Sequence, residues 1–327
     1  MGYGTPIRYL SRADVEGLSL GGIDLAASIE NTLRAAAVGH AQNFPKTSKI
    51  FPDGRLFQSL MAVGIEAPAP MFAATKIVGL APGNPARGLP TIGGVIVLNS
   101  GETGMPVAVM DATWITEMRT AALSLVVAKR YARAGSSKIA FIGCGAQAKA
   151  HLRVFSEVFP LTAVTALSRS RSSAEALAQR AREMGLEAEI ADDPRQAVVG
   201  QDIVISSVPE SPGLTPFLKA EWLSPGAFAS LVDLGRCWRL DGFESIDFRL
   251  VDDRAQAEAS RHYRKLTPDG PYDADLQEMV ANPDMSRRTE YERVVFTFQG
   301  LAIADLAVAA LVFEAAQKAS VGTLLQI

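Results

Sequence analysis

Several residue types that announce a chemistry of their own are scarce in this sequence. Its 327 residues include two cysteines, Cys144 and Cys237, and three histidines, His40, His151 and His262. Neither cysteine lies in a CxxC pair and no histidine stands at metal-ligand spacing, so neither a disulfide scaffold nor a zinc site is expected. Basic residues are not in excess: 32 Lys and Arg against 35 Asp and Glu give a net charge of −3, which speaks against a nucleic-acid partner. Long apolar runs are missing too. The most tempting, Leu306 to Phe313, is bracketed by Asp305 and Glu314 and is far too short to span a bilayer. The amino terminus lacks a charged-then-apolar signal pattern and has Pro6 where a myristoylation motif wants Ser or Thr. A cytoplasmic protein with no membrane partner is expected. What is present is ordinary globular composition, 48% hydrophobic and 20% charged, at a length of roughly two domains.

With no internal repeats, organisation is read from the change of hydrophobic period. A short strand, Ile7 to Leu10, precedes a cap at Ser11 and a helix from about Gly22 to Gly39. Apolar runs at Leu56–Val63, Met71–Gly79, Gly94–Asn99 and Val107–Met110, separated by turn signals, read as an antiparallel sheet. A long helix runs from Asp111 to about Arg133. From Lys138 strands and helices alternate, with strands at Lys138–Ile142, Ala163–Leu167, Glu187–Ile190, Ile203–Ser206, Phe228–Val232 and Arg249–Asp252. That alternation means βαβ crossovers and a parallel sheet. A last strand, Val294–Phe298, leads to an amphipathic helix, Leu301–Ala319, expected to pack back on the first domain. The fold class is α/β: a Rossmann-type domain over residues 134–299, and a smaller α+β domain over residues 1–133 completed by residues 300–327.

Gly143-Cys144-Gly145-Ala146-Gln147-Ala148 follows a strand and opens a helix, the context that a dinucleotide-binding GxGxxG/A turn requires. Gly143 permits the tight turn, Gly145 lets a pyrophosphate approach the backbone, and Ala148 allows close packing. The helix amino terminus, at Ala146 and Gln147, offers N–H groups to the phosphates. An ordinary βα turn is the alternative, against which the surrounding βα units weigh. NAD-binding units carry an acid about 20 residues on, at the end of the second strand. None occurs between Glu157 and Glu175; the strand ends instead in Ser168-Arg169-Ser170-Arg171, which suits a 2′-phosphate or is a solvated basic turn. NADP(H) is the preferred cofactor, NAD(H) the alternative, and Thr120, Ser207 and Val208 complete the expected cofactor-binding set.

Strand alternation puts Lys76 on one face with Phe72, Ala74 and Val78, as an edge gatekeeper or a desolvated functional amine. Arg119 falls on the apolar face of its helix with Ile115, Ala122 and Val126, where a guanidinium needs an anionic partner. That partner is structural, or, if both cations share a cleft, a substrate carboxylate.

Lys76-Ile-Val, Pro82-Gly-Asn-Pro-Ala-Arg-Gly-Leu-Pro-Thr, Gly104-Met-Pro-Val-Ala-Val-Met-Asp-Ala and Thr116-Glu-Met-Arg-Thr-Ala-Ala follow one another along the chain, and the cofactor turn and Gly300-Leu-Ala-Ile-Ala-Asp-Leu-Ala come after them. In these residues, in family order over most of its length, the chain resembles the ornithine cyclodeaminase/mu-crystallin family. The resemblance implies a homodimer built through the first domain, a nicotinamide cofactor on the second, and an amino-acid or cyclic-imine substrate. It makes Lys76 the active-site lysine and Arg119 a carboxylate clamp. Lys46, in Phe44-Pro-Lys-Thr, stands where the family has an arginine, and supplies charge without a bidentate fork. The acid that cyclodeaminases carry after a Val-Gly-Gly-like turn falls here on Gly235. Asp233, two residues earlier, is either its catalytic substitute or a strand-end loop cap.

The activity expected is that of an NAD(P)H-dependent oxidoreductase reducing a small carboxylate-bearing imine or ketimine, or running the reverse amino-acid dehydrogenation. Carboxylate clamping would hold the near-attack pose, and Lys76 or a water held by Asp233 would supply the proton. The alternatives are a redox-neutral cyclodeaminase, against which Gly235, Arg169 and Arg171 argue, and a non-catalytic crystallin-like binding protein, against which Lys76 and Arg119 argue.

Overall fold

The computed structural model describes residues 6–211, 213–261 and 270–326. His262 lies outside them. The chain begins β1 (Ile7–Leu10), α1 (Arg12–Gly17), α2 (Gly22–Ala37), β2 (Ala41–Asn43), β3 (Thr47–Ile50), β4 (Leu56–Gly64), β5 (Phe72–Leu80), β6 (Ile92–Ser100), β7 (Pro106–Asp111) and α3 (Ala112–Tyr131). It continues β8 (Lys138–Ile142), α4 (Ala146–Ser156), β9 (Ala163–Leu167), α5 (Arg171–Glu183), β10 (Glu187–Ile190), α6 (Pro194–Val198), β11 (Ile203–Ser206) and β12 (Phe228–Leu231). It ends β13 (Phe248–Val251), α7 (Arg254–Arg261), β14 (Ala274–Asp275), α8 (Leu276–Ala281), β15 (Val294–Thr297), α9 (Ala302–Ala319) and β16 (Thr323–Leu325).

Two units result, one from the chain up to Arg119 with the segment from Leu301 on, the other from Thr120–Gly300. In the first, one sheet runs β16-β1-β7-β6-β5-β4-β2, with β3 also on β4. The expected strands β4 to β7 pair antiparallel, while β1 joins β7 in parallel. Alternation buries Leu60, Ala62, Ala74, Lys76, Ile96 and Leu98 on the face covered by α9, and leaves Phe57, Met61, Ile77 and Val95 exposed on the other. Contrary to expectation α9 is amphipathic only in its last turns, where Glu314, Gln317 and Lys318 are exposed while Val312, Phe313 and Ala316 are buried. Ala302 to Ala310 are all buried, because α9 packs against β4 and β5 on one side and α2 on another, so no polar face is needed.

The second unit is a parallel sheet in the order β10-β9-β8-β11-β12-β15-β13-β14. Its central strands β11, β12 and β15 are buried along their whole length, as strands covered on both faces must be. The strand order reverses between β8 and β11, which makes this the topological switch point of a Rossmann-type sheet. The expected boundary between Arg133 and Lys138 is displaced to Arg119/Thr120, inside α3. The later turns of α3 pack within the second unit: the Ser124 hydroxyl meets that of Ser230 at 2.9 Å, and the Tyr131 ring stacks on Phe248 at 5.1 Å.

Candidate functional site

β5 presents Lys76 inward between Leu60 on β4 and Ile96 on β6. Its Nζ donates to Asp305 Oδ1 at 2.7 Å and to Thr116 Oγ1 at 3.4 Å. One turn along α3 from Thr116, Arg119 sends its Nε to within 3.1 Å of the same Asp305 oxygen. The Lys76 and Asp305 side chains are 2% exposed and Arg119 is 8% exposed. Two cations and one anion are thus buried together with a net charge of +1. Among the described residues Asp305 Oδ2 has no hydrogen-bond partner. Burial, and then the positive charge of Arg119, lower the Lys76 pKa to about 8, with Asp305 opposing both. Lys46, half-buried beyond β2, lies near enough for its charge to lower Lys76 further.

Sequence reasoning missed Asp305 as a site residue. The signal was an acid in the first turn of an otherwise apolar helix, seen only as the bracket of a hydrophobic run and as one letter of the Gly300–Ala307 motif.

In the second unit, Gly143 closes the β8–α4 turn at φ +90°, and a Cβ there would come 2.8 Å from the Ser207 carbonyl oxygen. Ser207 Oγ donates to the Gly143 carbonyl at 3.1 Å, binding the two strand ends across the switch point. A Cβ on Gly145 would meet nothing within 4 Å, and no side chain caps α4. The protein's own packing therefore does not require glycine at 145, whereas a pyrophosphate laid against the Ala146 and Gln147 amides would; the turn fits a dinucleotide. At the end of β9, Ser168 is followed by exposed Arg169 and Arg171, and Ser170 caps α5 by accepting from Ser173 N. Arg171 reaches Glu175 at 3.4 Å and Asp192 at 3.5 Å as a surface residue. Thr120 is buried on α3, the first residue of the second unit.

Asp233 is buried among donors from the surrounding loops. Its Oδ1 accepts from Ser206 Oγ at 3.0 Å and Gly235 N at 3.1 Å, and its Oδ2 from Val208 N at 3.1 Å and Cys237 Sγ at 3.0 Å. Four donors occupy the four lone-pair sites of an ionised carboxylate. Burial and this negative charge push the Cys237 thiol well above its usual pKa. Among the described residues no group of His, Cys, Asp and Glu is arranged to hold a metal ion, and no helix is long and apolar enough to cross a membrane.

The chain is 32% identical to the alanine dehydrogenase of Archaeoglobus fulgidus over 327 aligned residues, covering 96% of each protein. The structure of an archaeal alanine dehydrogenase dimer with bound NAD matches with a TM-score of 0.83 at 29% identity, over 99% of this chain and 100% of that one. That of the Thermococcus litoralis Delta(1)-pyrroline-2-carboxylate reductase, in complex with NADH and L-proline, matches with a TM-score of 0.85 at 26% identity, over 97% and 99%. The family model of the ornithine cyclodeaminase/mu-crystallin family spans residues 8–320, and the chain belongs to that family.

Proposed function

We propose that the chain is an NAD(P)H-dependent oxidoreductase that reduces a small imine or ketimine carrying a carboxylate, or runs the reverse amino-acid dehydrogenation. One observation carries this reading: Lys76, Arg119 and Asp305 are buried with one positive charge in excess, and a buried uncompensated charge calls for an anion. A substrate carboxylate supplies it. The names of the relatives, an alanine dehydrogenase and a reductase seen with L-proline, agree with an amino-acid or imino-acid substrate.

In this reading the first unit binds substrate and the second binds cofactor. Arg119 and Lys76 hold the carboxylate, with Lys46 adding charge nearby, and Asp305 keeps the two cations side by side. A nicotinamide cofactor held at Gly143, Gly145, Ala146 and Gln147, with Thr120, Ser207 and Val208, supplies or accepts the hydride when bound. Lys76 Nζ, protonated near neutral pH and poised by burial to release a proton, serves the substrate nitrogen. Asp233 braces its loops. Ser168, Arg169 and Arg171 favour NADPH over NADH, since charge-assisted contacts to a 2′-phosphate are worth about 1.5–3 kcal/mol each. A cytoplasmic location accords with the two unpaired thiols. The assembly is a homodimer through the exposed sheet face of the first unit.

The test follows NADPH and NADH consumption with cyclic imine carboxylates and with α-keto acids plus amine, beside ammonia release from ornithine with NAD⁺. Turnover on the imine panel with tighter binding of NADPH is expected, with no ammonia from ornithine. Arg119→Ala and Lys76→Ala should each lose turnover while binding NADPH as before. Robust cyclisation of ornithine would replace this reading with the redox-neutral one, and absence of hydride exchange with every carboxylate would leave a binding protein.

A further inference from the structure

The helix that carries Asp305 is not capped by its own sequence. Leu301 stands at the N-cap of α9 and offers no side-chain acceptor. The acceptor comes from Asn43, the last residue of β2, whose Oδ1 receives Ala302 N at 2.9 Å and Ile303 N at 3.3 Å. These N–H groups have no partner within the helix, so the carboxamide fixes the position of the whole first turn. Asp305 lies in that turn, two residues beyond Ile303. On the other side, Lys46 follows Asn43 by three residues, and its charge reaches Lys76. One side chain therefore ties the segment leading to Lys46 to the turn bearing the carboxylate on which Lys76 and Arg119 converge.

We propose that Asn43 is a positioning residue for the ion triad, holding Asp305 Oδ1 within reach of both Lys76 Nζ and Arg119 Nε. It acts through Asp305 and not on the substrate. The inference rests on the triad being the carboxylate site, and the experiment separates the two.

Asn43→Leu keeps the size and removes the acceptor; Asn43→Asp keeps the acceptor. KM for the imine carboxylate and the pH profile of kcat/KM are measured in both, and in Asp305→Asn, with NADPH affinity and Tm as controls. In Asn43→Leu, KM should rise about tenfold, the size of effect that follows from losing one modest ground-state contact. The alkaline inflection should move below its wild-type position, because a displaced Asp305 holds the Lys76 proton less firmly. Asn43→Asp should restore both, with NADPH affinity unchanged throughout. A cap that serves stability alone would lower Tm and leave KM and the inflection in place, which overturns the proposal. If Asn43→Leu is not recovered folded, Asn43→Ser, able to reach only one of the two N–H groups, should show a smaller shift of the same sign; wild-type KM and inflection in that variant would overturn it equally. Unchanged KM in Asp305→Asn would overturn the triad reading itself, whatever Asn43 does.

Discussion

Lys76 can lose its proton at a pH where free lysine holds it firmly, and this has consequences of opposite sign for binding and for stability. With its pKa lowered to about 8, deprotonation removes the excess positive charge and leaves only the balanced Arg119–Asp305 pair. In the reductive direction kcat/KM should therefore fall about tenfold per pH unit above the inflection. Stability moves the other way. Between the folded pKa and the ordinary lysine value of 10.5 the unfolded chain binds more protons than the native one, so this group makes the fold more stable as pH rises through that window. A pH–rate profile set beside thermal unfolding over the same range tests this, and a parallel loss of activity and Tm would mean that unfolding sets the limb. Asp305→Asn, which removes the anion that supports the charged amine, should move the inflection down. Lys76 and Arg119 were legible in the sequence because strand alternation and helical period each turn a cation inward. Asp305 was not, because it is 229 residues from Lys76 and only the packing of α9 on β5 brings them together.

Elements with their own apolar period were readable almost to the residue. Lys138–Ile142, Ala163–Leu167 and Ile203–Ser206 are strands as expected, since a buried parallel strand is a continuous apolar run bounded by turns. The short strands β2, β3 and β16 were not, because β3 is exposed at every position and β16 exists by pairing with β1. His151 shows the same limit. From sequence it was merely a histidine without metal spacing. In the fold its Nδ1 donates to the Gln147 carbonyl at 2.8 Å and its Nε2 accepts from Ser124 at 2.8 Å, a neutral brace whose pKa burial lowers to about 4. At Asp233 residue type left two readings open, and the loop geometry bears on both. The chain after β12 turns through two left-handed residues, Leu234 at φ +65° and Gly235 at φ +72°, and Gly235 N donates back to Asp233. An acid at 235 would have to adopt that conformation, which costs any side-chain-bearing residue. Asp233→Asn should cost about 1–3 kcal/mol of stability, as loss of charged hydrogen bonds in a buried loop does, and leave kcat nearly unchanged. A rate loss of the 10²–10⁴-fold scale of a positioned acid–base group, with Tm intact, would assign the proton to Asp233 after all.

At the scale of the whole molecule, the sheet of the first unit is covered by α9 on one face and carries exposed apolar side chains on the other among the described residues. On the other face the register aligns Tyr9 with Val109, Val109 with Val97, Val97 with Thr75, and Thr75 with Met61, while Val95 and Ser59 flank Ile77. Tyr9, Phe57, Met61, Ile77 and Val95 are all exposed there, Ile77 by 50%. Contiguous apolar surface of this kind on a sheet marks an association site, and a self-complementary patch closes most simply as a two-fold dimer. The archaeal alanine dehydrogenase that this chain resembles is a dimer. Ile77→Asp tests the association site. A carboxylate in the middle of the face has no partner once covered, and burying it unpaired costs several kcal/mol at each of two symmetric positions. On the free surface the same change should alter stability by no more than about 0.5 kcal/mol. Sedimentation should therefore show a dimer for the wild type and a monomer for Ile77→Asp, with NADPH affinity retained because the dinucleotide turn belongs to the second unit. A wild-type monomer, or a variant that remains dimeric at the same concentration, would move the interface off this face.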